Sequence, residues 1–117
     1  MIVGLADLRR HLRVDDDEQD DLIIAYEGAA AQQVSHWIGR PVYGPEDVMP
    51  GPDDDRYHPS QMRADATIRV AIMQLVDRMF EDRHGEGGAS EDAVPPMSVR
   101  AVLAPHRVFD CPTEVAR

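Results

Sequence analysis

The sequence has one cysteine, one tryptophan and no lysine, and only 5% of its 117 residues are aromatic. A lone Cys111 excludes an internal disulfide, the usage expected of a reducing compartment. With so few rings, the core has to be built from Leu, Ile, Val, Met and Ala. All 12 basic residues are Arg, and 22 acids give a formal charge of -10. That balance excludes a general DNA coater, because affinity for DNA comes mainly from neutralising phosphates with Lys and Arg. No apolar run approaches the ~18 residues of a membrane span, and no basic-plus-apolar leader opens the chain. A soluble protein made in the cytoplasm is the expectation.

Catalytic signatures are missing as well. There is no GxSxG, phosphate-binding loop or GxGxxG, and the GEGG at 85–88 does not follow a strand. The five histidines, His11, His36, His58, His84 and His106, show neither HxxxH nor HxH spacing, so no metal site is expected. Asp15–Asp17 and Asp53–Asp55 invite a calcium reading. An EF-hand loop counted from Asp15 would need Gly at its sixth position and Glu at its twelfth. Asp20 and Tyr26 stand there. These acids read instead as a helix start and a solvated loop, and neither an enzyme nor a cofactor is implied.

What is present is helical periodicity. Leu5, Leu8 and Leu12 form one stripe of a short helix over 4–13. A long helix is predicted from about Asp17 or Glu18 to Ile38, with Leu22, Ile23, Tyr26, Ala30, Val34, Trp37 and Ile38 as its apolar face. Gly39 and Arg40-Pro41 stop it. A third helix is predicted over 61–83, carrying Ile68, Ile72, Leu75, Val76, Met79 and Phe80, and a linker over 85–93. The fourth spans 96–104, opened by Pro95-Pro96 and closed by Pro105, with Val99, Val102 and Leu103 on its apolar side. The expected fold is all-α: one domain over 1–117, with two long antiparallel helices, short helices at each end and a core that includes Leu22, Tyr26, Val34, Ile72, Leu75 and Met79. Arg9, Arg10 and Arg13 are expected to pair with neighbouring acids.

Between the long helices lie residues 40–60, with five prolines and two glycines. No helix tolerates that spacing, and short strand-like pieces in a hairpin or an extended arm are expected at Val42, Tyr43 and Val48. A helix-turn-helix with Gly39 at its turn fails, since Pro41 and Pro45 fall inside the recognition helix, at about 3 kcal/mol each. Loops of this length in small domains are commonly functional. The tail at 105–117 carries Arg107, Val108 and Phe109, apolar content that a free end does not need. Trp37 is expected in the core and also as a contact anchor, since Trp is enriched at interfaces. Trp37, Val42, Tyr43, Val48, Arg107, Val108 and Phe109 are therefore the candidate partner-binding residues. The loop and the tail are expected to pack poorly on the free subunit and to order on contact.

Four pieces occur in a fixed order: LADLRRHLRVDDDEQDDLI, VSHWIGRPV, IRVAIMQLVDRMFEDR and VPPMSVRAVLAPHRVF. Together they resemble the tailed-phage head–tail connector family, the small adaptor or DNA-packaging protein of phages and prophages. Leu8, His11, Leu12, Arg13 and Asp15 match its first motif, and Ile38, Gly39, Arg40 and Pro41 its turn. Ile72, Leu75, Val76, Phe80, Glu81 and Arg83 match the third, and Val99, Leu103, Pro105, His106 and Arg107 the last, with His106 where Tyr is usual. The resemblance implies a non-enzymatic virion protein that forms a homo-oligomeric ring under the portal protein. It would contact the next connector or a tail protein, and DNA would pass through without specific binding. A gene transfer agent would read the same way. The alternative class is a small cytoplasmic helical regulator, antitoxin-like or a transcriptional accessory protein.

Overall fold

The computed structural model describes residues 1–81 and 96–108. The linker expected at 85–93 and most of the 105–117 tail lie outside them. Helix α1 (Leu5–Leu12) buries Leu8 and sets Leu5 and Leu12 at the edge of the core. It stops where Arg13 turns left-handed, at φ 60, and the Val14 N–H reaches back to the Arg9 carbonyl at 2.9 Å. A side chain in that region costs about 1 kcal/mol or more.

Helix α2 (Asp20–Ile38) begins later than its acids suggest. Asp16 accepts the Glu18 N–H at 3.3 Å, a local bond that favours a turn over a helix. The first helical turn is acidic all the same, with Asp20 and Asp21, which suits the positive end of the helix dipole. Asp20 also takes a two-point ion pair from Arg9. That hydrogen-bonded carboxylate raises the Arg9 guanidinium above its ordinary value. Arg10 pairs with Asp7 at 3.4 Å.

The buried face of α2 is Ile23, Glu27, Ala30, Val34 and Ile38, while Leu22, Tyr26 and Trp37 are half-buried on its flanks. Glu27 is the departure from the apolar stripe. At 4% exposure, its Oε2 accepts the N–H groups of Ile2 (2.8 Å) and Val3 (3.2 Å). A carboxyl oxygen accepting two backbone donors stitches the first residues of the chain to the middle of α2. Ile2 and Val3 thereby join the core.

Two strands flank the long loop. β1 (Val42–Tyr43) follows α2 and β2 (Met62–Arg63) precedes the next helix, paired in parallel with Val42 opposite Met62 and Tyr43 opposite Arg63. The expected hairpin is thus replaced by a crossover, the connection that a parallel pair demands. Residues 62–63, expected as helix, are spent on this pairing. Helix α3 (Ala66–Glu81) starts only after Asp65, whose Oδ1 accepts the Ile68 N–H at 3.0 Å, an N-cap bond.

The loop is better packed than its composition suggests. The Arg63 guanidinium donates to the carbonyls of Gly44 (2.6 Å) and Asp47 (3.0 Å), and Gln61 Nε2 donates to Pro50 at 2.9 Å. Gly44 and Pro50 are buried. A Cβ on Gly44 would stand 2.6 Å from the Met1 carbonyl oxygen, so glycine permits the loop to lie against the chain's first residues. The expectation of a poorly packed 40–60 segment is corrected for residues 41–44 and 49–50, while residues 45–48, 51–53 and 55–59 are exposed. Its prolines prevent regular structure, while side chains of Arg and Gln satisfy its backbone carbonyls.

Helix α3 packs mainly on α2, and also on α1 and on α4 (Met97–Leu103). It buries Ile68, Ala71, Ile72, Leu75 and Val76, with Met79 half-buried, and α4 adds Val99 and Leu103. A 3-10 turn, Ala104–His106, follows α4 and contains Pro105.

Leu75→Ala, which removes a buried side chain of α3 from the core, should cost about 2–5 kcal/mol in a urea titration. Glu27→Ala leaves the buried Ile2 and Val3 amides without an acceptor and should cost about 2–4 kcal/mol. Glu27→Gln, which keeps one carbonyl oxygen, should cost clearly less in the same titration.

Candidate functional site

The stop of α2 organises the candidate residues. Gly39 takes φ 78, and the N–H groups of Gly39 (2.9 Å) and Arg40 (3.3 Å) both return to the Ser35 carbonyl. The Ser35 hydroxyl in turn donates to the Arg40 carbonyl at 2.7 Å. Only glycine adopts this left-handed conformation without penalty. A Cβ here would also collide with the carbonyl oxygen of Val108, which lies against Gly39. The helix stop and the end of the described chain are therefore one packed unit.

Three of the predicted residues meet there. Trp37 is half-buried against the core, and the Arg107 guanidinium lies 4.3 Å from its ring centroid, a cation–π contact. The Val108 N–H donates to the Ile38 carbonyl at 2.7 Å, an acceptor that the helix end leaves free. Val42 and Tyr43 follow within one turn of chain as β1, both half-buried. Val48 projects from the loop at 88% exposure. Phe109 lies outside the described residues. Residues 105–108 are thus anchored on their own subunit, which corrects the expectation that the tail is loose from its start.

Other residues hold this region; sequence reasoning marks Arg40 and His106 only as motif matches, and Asp65 and Thr67 not at all. Arg40 donates from Nε to the Ser60 carbonyl (2.6 Å) and from Nη1 to the His106 carbonyl (3.4 Å), tying the loop's two ends to the terminal turn. His106 Nε2 stands 3.0 Å from Asp65 Oδ2 and 2.8 Å from Thr67 Oγ1. Burial acts to raise the Asp65 carboxyl. The hydrogen bonds from Ile68 and Thr67, with the charge of His106, outweigh it and leave the group below the ordinary carboxylate range. The one available signal was an Asp just ahead of an apolar period, a cap signature. Arg40 stands in the turn motif, but nothing in the sequence points to its partners, which are backbone carbonyls.

This assembly of stacking, capping and carbonyl bonds can hold surfaces in place. Among the described residues, no three His, Cys, Asp or Glu side chains group closely enough for a metal ion. No described helix is long and apolar enough to cross a membrane. Among the described residues, the exposed large apolar side chains are Met1, Ile24, Val48, Tyr57, Val70 and Met97, spread over the first residue, α2, the loop, α3 and α4.

Comparison with known proteins agrees with a binding role. Neither the curated proteins nor the solved structures give a match. The family model described as "Phage gp6-like head-tail connector protein" matches residues 2–103, from the segment held by Glu27 to the last residue of α4. That span takes in α1 to α4 and both strands of the described residues, and on it the chain belongs to the phage gp6-like head–tail connector family, a family of structural virion proteins.

Proposed function

We propose that this protein is the adaptor that assembles as a ring beneath the portal of a DNA-filled head, extends the DNA channel and offers the surface on which the next connector or the tail docks. The observation that carries this reading is the family match over residues 2–103, which covers the four described α-helices. The physics of the chain is consistent with it. A net charge of -10 gives DNA phosphates little to hold, so DNA would slide past such a ring. Copies related by rotation bury the same patches repeatedly, which suits a subunit whose exposed apolar side chains are scattered singly.

In this reading the contacts are made by the end of the molecule where Trp37, β1 and residues 107–108 converge, by Val48 in the loop, and by Phe109. The experiment is complementation in a host whose prophage lacks this gene. Filled heads without tails should accumulate, and the intact gene should restore tailed, infectious particles. Heads that join tails without the gene would refute the proposal.

Two truncations separate docking from folding. Ending the chain after Pro105 removes the His106 bonds, the Arg107–Trp37 stack and the Val108–Ile38 bond. It should cost about 1–3 kcal/mol of stability by thermal or urea unfolding. Ending it after Val108 keeps all three and should change stability by less than about 0.5 kcal/mol. The same truncation should lower particle yield at least about tenfold, and unchanged yield would remove Phe109 from the contact set. Val48→Asp, at a fully solvated position, should likewise spare stability and reduce yield.

A further inference from the structure

Two depressions open on the surface beside α1. One lies between α1 and α3, lined by Arg10, Arg69, Val70 and Met73 among others. The other lies between the first residues of the chain and the long loop, lined by Met1, Pro45 and Glu46 among others. They share only Asp7 and Arg69, whose ion pair, 3.1 Å from Nη2 to Oδ2, is the wall between them. Asp7 also pairs with Arg10 at 3.4 Å, so one carboxylate answers two guanidinium groups. The Arg10 side chain is nonetheless 77% exposed, and Arg69 Nε is buried without a hydrogen-bond partner. The α1–α3 groove thus keeps a positive charge on a chain whose net charge is -10. Its lining is otherwise partly apolar, with Val70 exposed and Met73 half-buried.

Beyond the wall stands a segment of the opposite chemistry. Glu46, Asp47 and Val48 are exposed together at the tip of the loop. The tip is braced from behind: Asp47 Oδ2 accepts the Gly44 N–H at 2.8 Å, and Arg63 donates to the Gly44 and Asp47 carbonyls. An apolar side chain on a braced, solvated turn adds nothing to the core, and bracing lowers the ordering cost of binding. We propose that the groove between α1 and α3 receives the Glu46–Val48 tip of a second copy of this chain, Val48 lying against Val70 and Met73 and Glu46 against Arg10. The opposite charges fix the register. No tip residue lines the groove of its own chain, so a neighbouring copy has to supply it. Tip and groove are different patches, and a contact between them is heterologous, the kind that makes a ring when the rotation closes. This inference rests on the ring assembly proposed above and names the two surfaces that meet in it.

The test looks for the contact inside assembled particles. The full-length chain carries Val48→Cys with Val70→Cys, or with Met73→Cys, and Cys111→Ser leaves no other thiol. Tailed particles from the complementation above are oxidised and run on a non-reducing gel. Either pair should give covalent multimers, and the single-cysteine chains should not. Charge exchange reads the same contact without cysteines. Arg10→Glu and Glu46→Arg should each lower particle yield at least about tenfold, since like charges set against each other across an interface are strongly unfavourable. The double variant should restore the yield, and circular dichroism and urea unfolding of all three should match the unmodified protein. Should the cysteine pairs themselves prevent assembly, the charge exchange decides. Tailed particles that contain the chain but give no multimers with either pair overturn this contact and leave the ring reading standing. A double variant no better than the singles does the same. Absence of the chain from the junction overturns both.

Discussion

Helix α2 has to end at Ile38, and the way it ends decides where the rest of the chain can go. Gly39 turns left-handed, Ser35 collects the two following N–H groups, and the space that a side chain would fill is taken by the Val108 carbonyl. From this stop the chain passes directly into β1, whose parallel partner β2 delivers Asp65 to the start of α3. The terminal strap then closes over both helix ends. One glycine conformation thus links the long loop, the second long helix and the last described residues. A bulkier residue at position 39 would strain all three at once.

At the middle of α2, Glu27 performs a second fixation of a different kind. Its carboxyl oxygen satisfies the buried amides of Ile2 and Val3 and brings their side chains into the core. Met1 then lies against Gly44, so the beginning of the chain braces the loop. In a domain of this size with few aromatics, such polar fixation adds definition to a core of branched aliphatics that would otherwise pack in several ways. The two fixations together tie the chain's first residues, the loop and the last described residues to α2.

The helices were legible because their apolar residues recur at the helical period over many turns. Leu8, Ile23, Val34, Ile72, Leu75 and Leu103 are all buried. The start of α3 was misplaced because residues 62–63 lie next to a good helical pattern. Their pairing with Val42 and Tyr43 is non-local and leaves no mark in the intervening loop. Glu27 was hidden for a similar reason: a charge on an apolar stripe reads as a flank residue until its donors, some 25 positions away, come into view. Of the candidate surface, Trp37, Arg107 and Val108 were legible from residue type and from position near a helix stop and a chain end. Arg40, Asp65 and His106 were not marked as binding the strap, since which carbonyl or helix end they reach is set by the fold.

The closed ring between head and tail proposed for this chain is open to direct observation. The most direct measurement is cryo-electron microscopy of the head–tail junction in particles produced from the genome that encodes it. The account predicts a rotationally symmetric ring below the portal into which the α2–α3 pair, the parallel strands and the Trp37–Arg107 strap fit, with the long loop at a subunit contact. A junction in which the portal meets the tail with no density for this chain would contradict it.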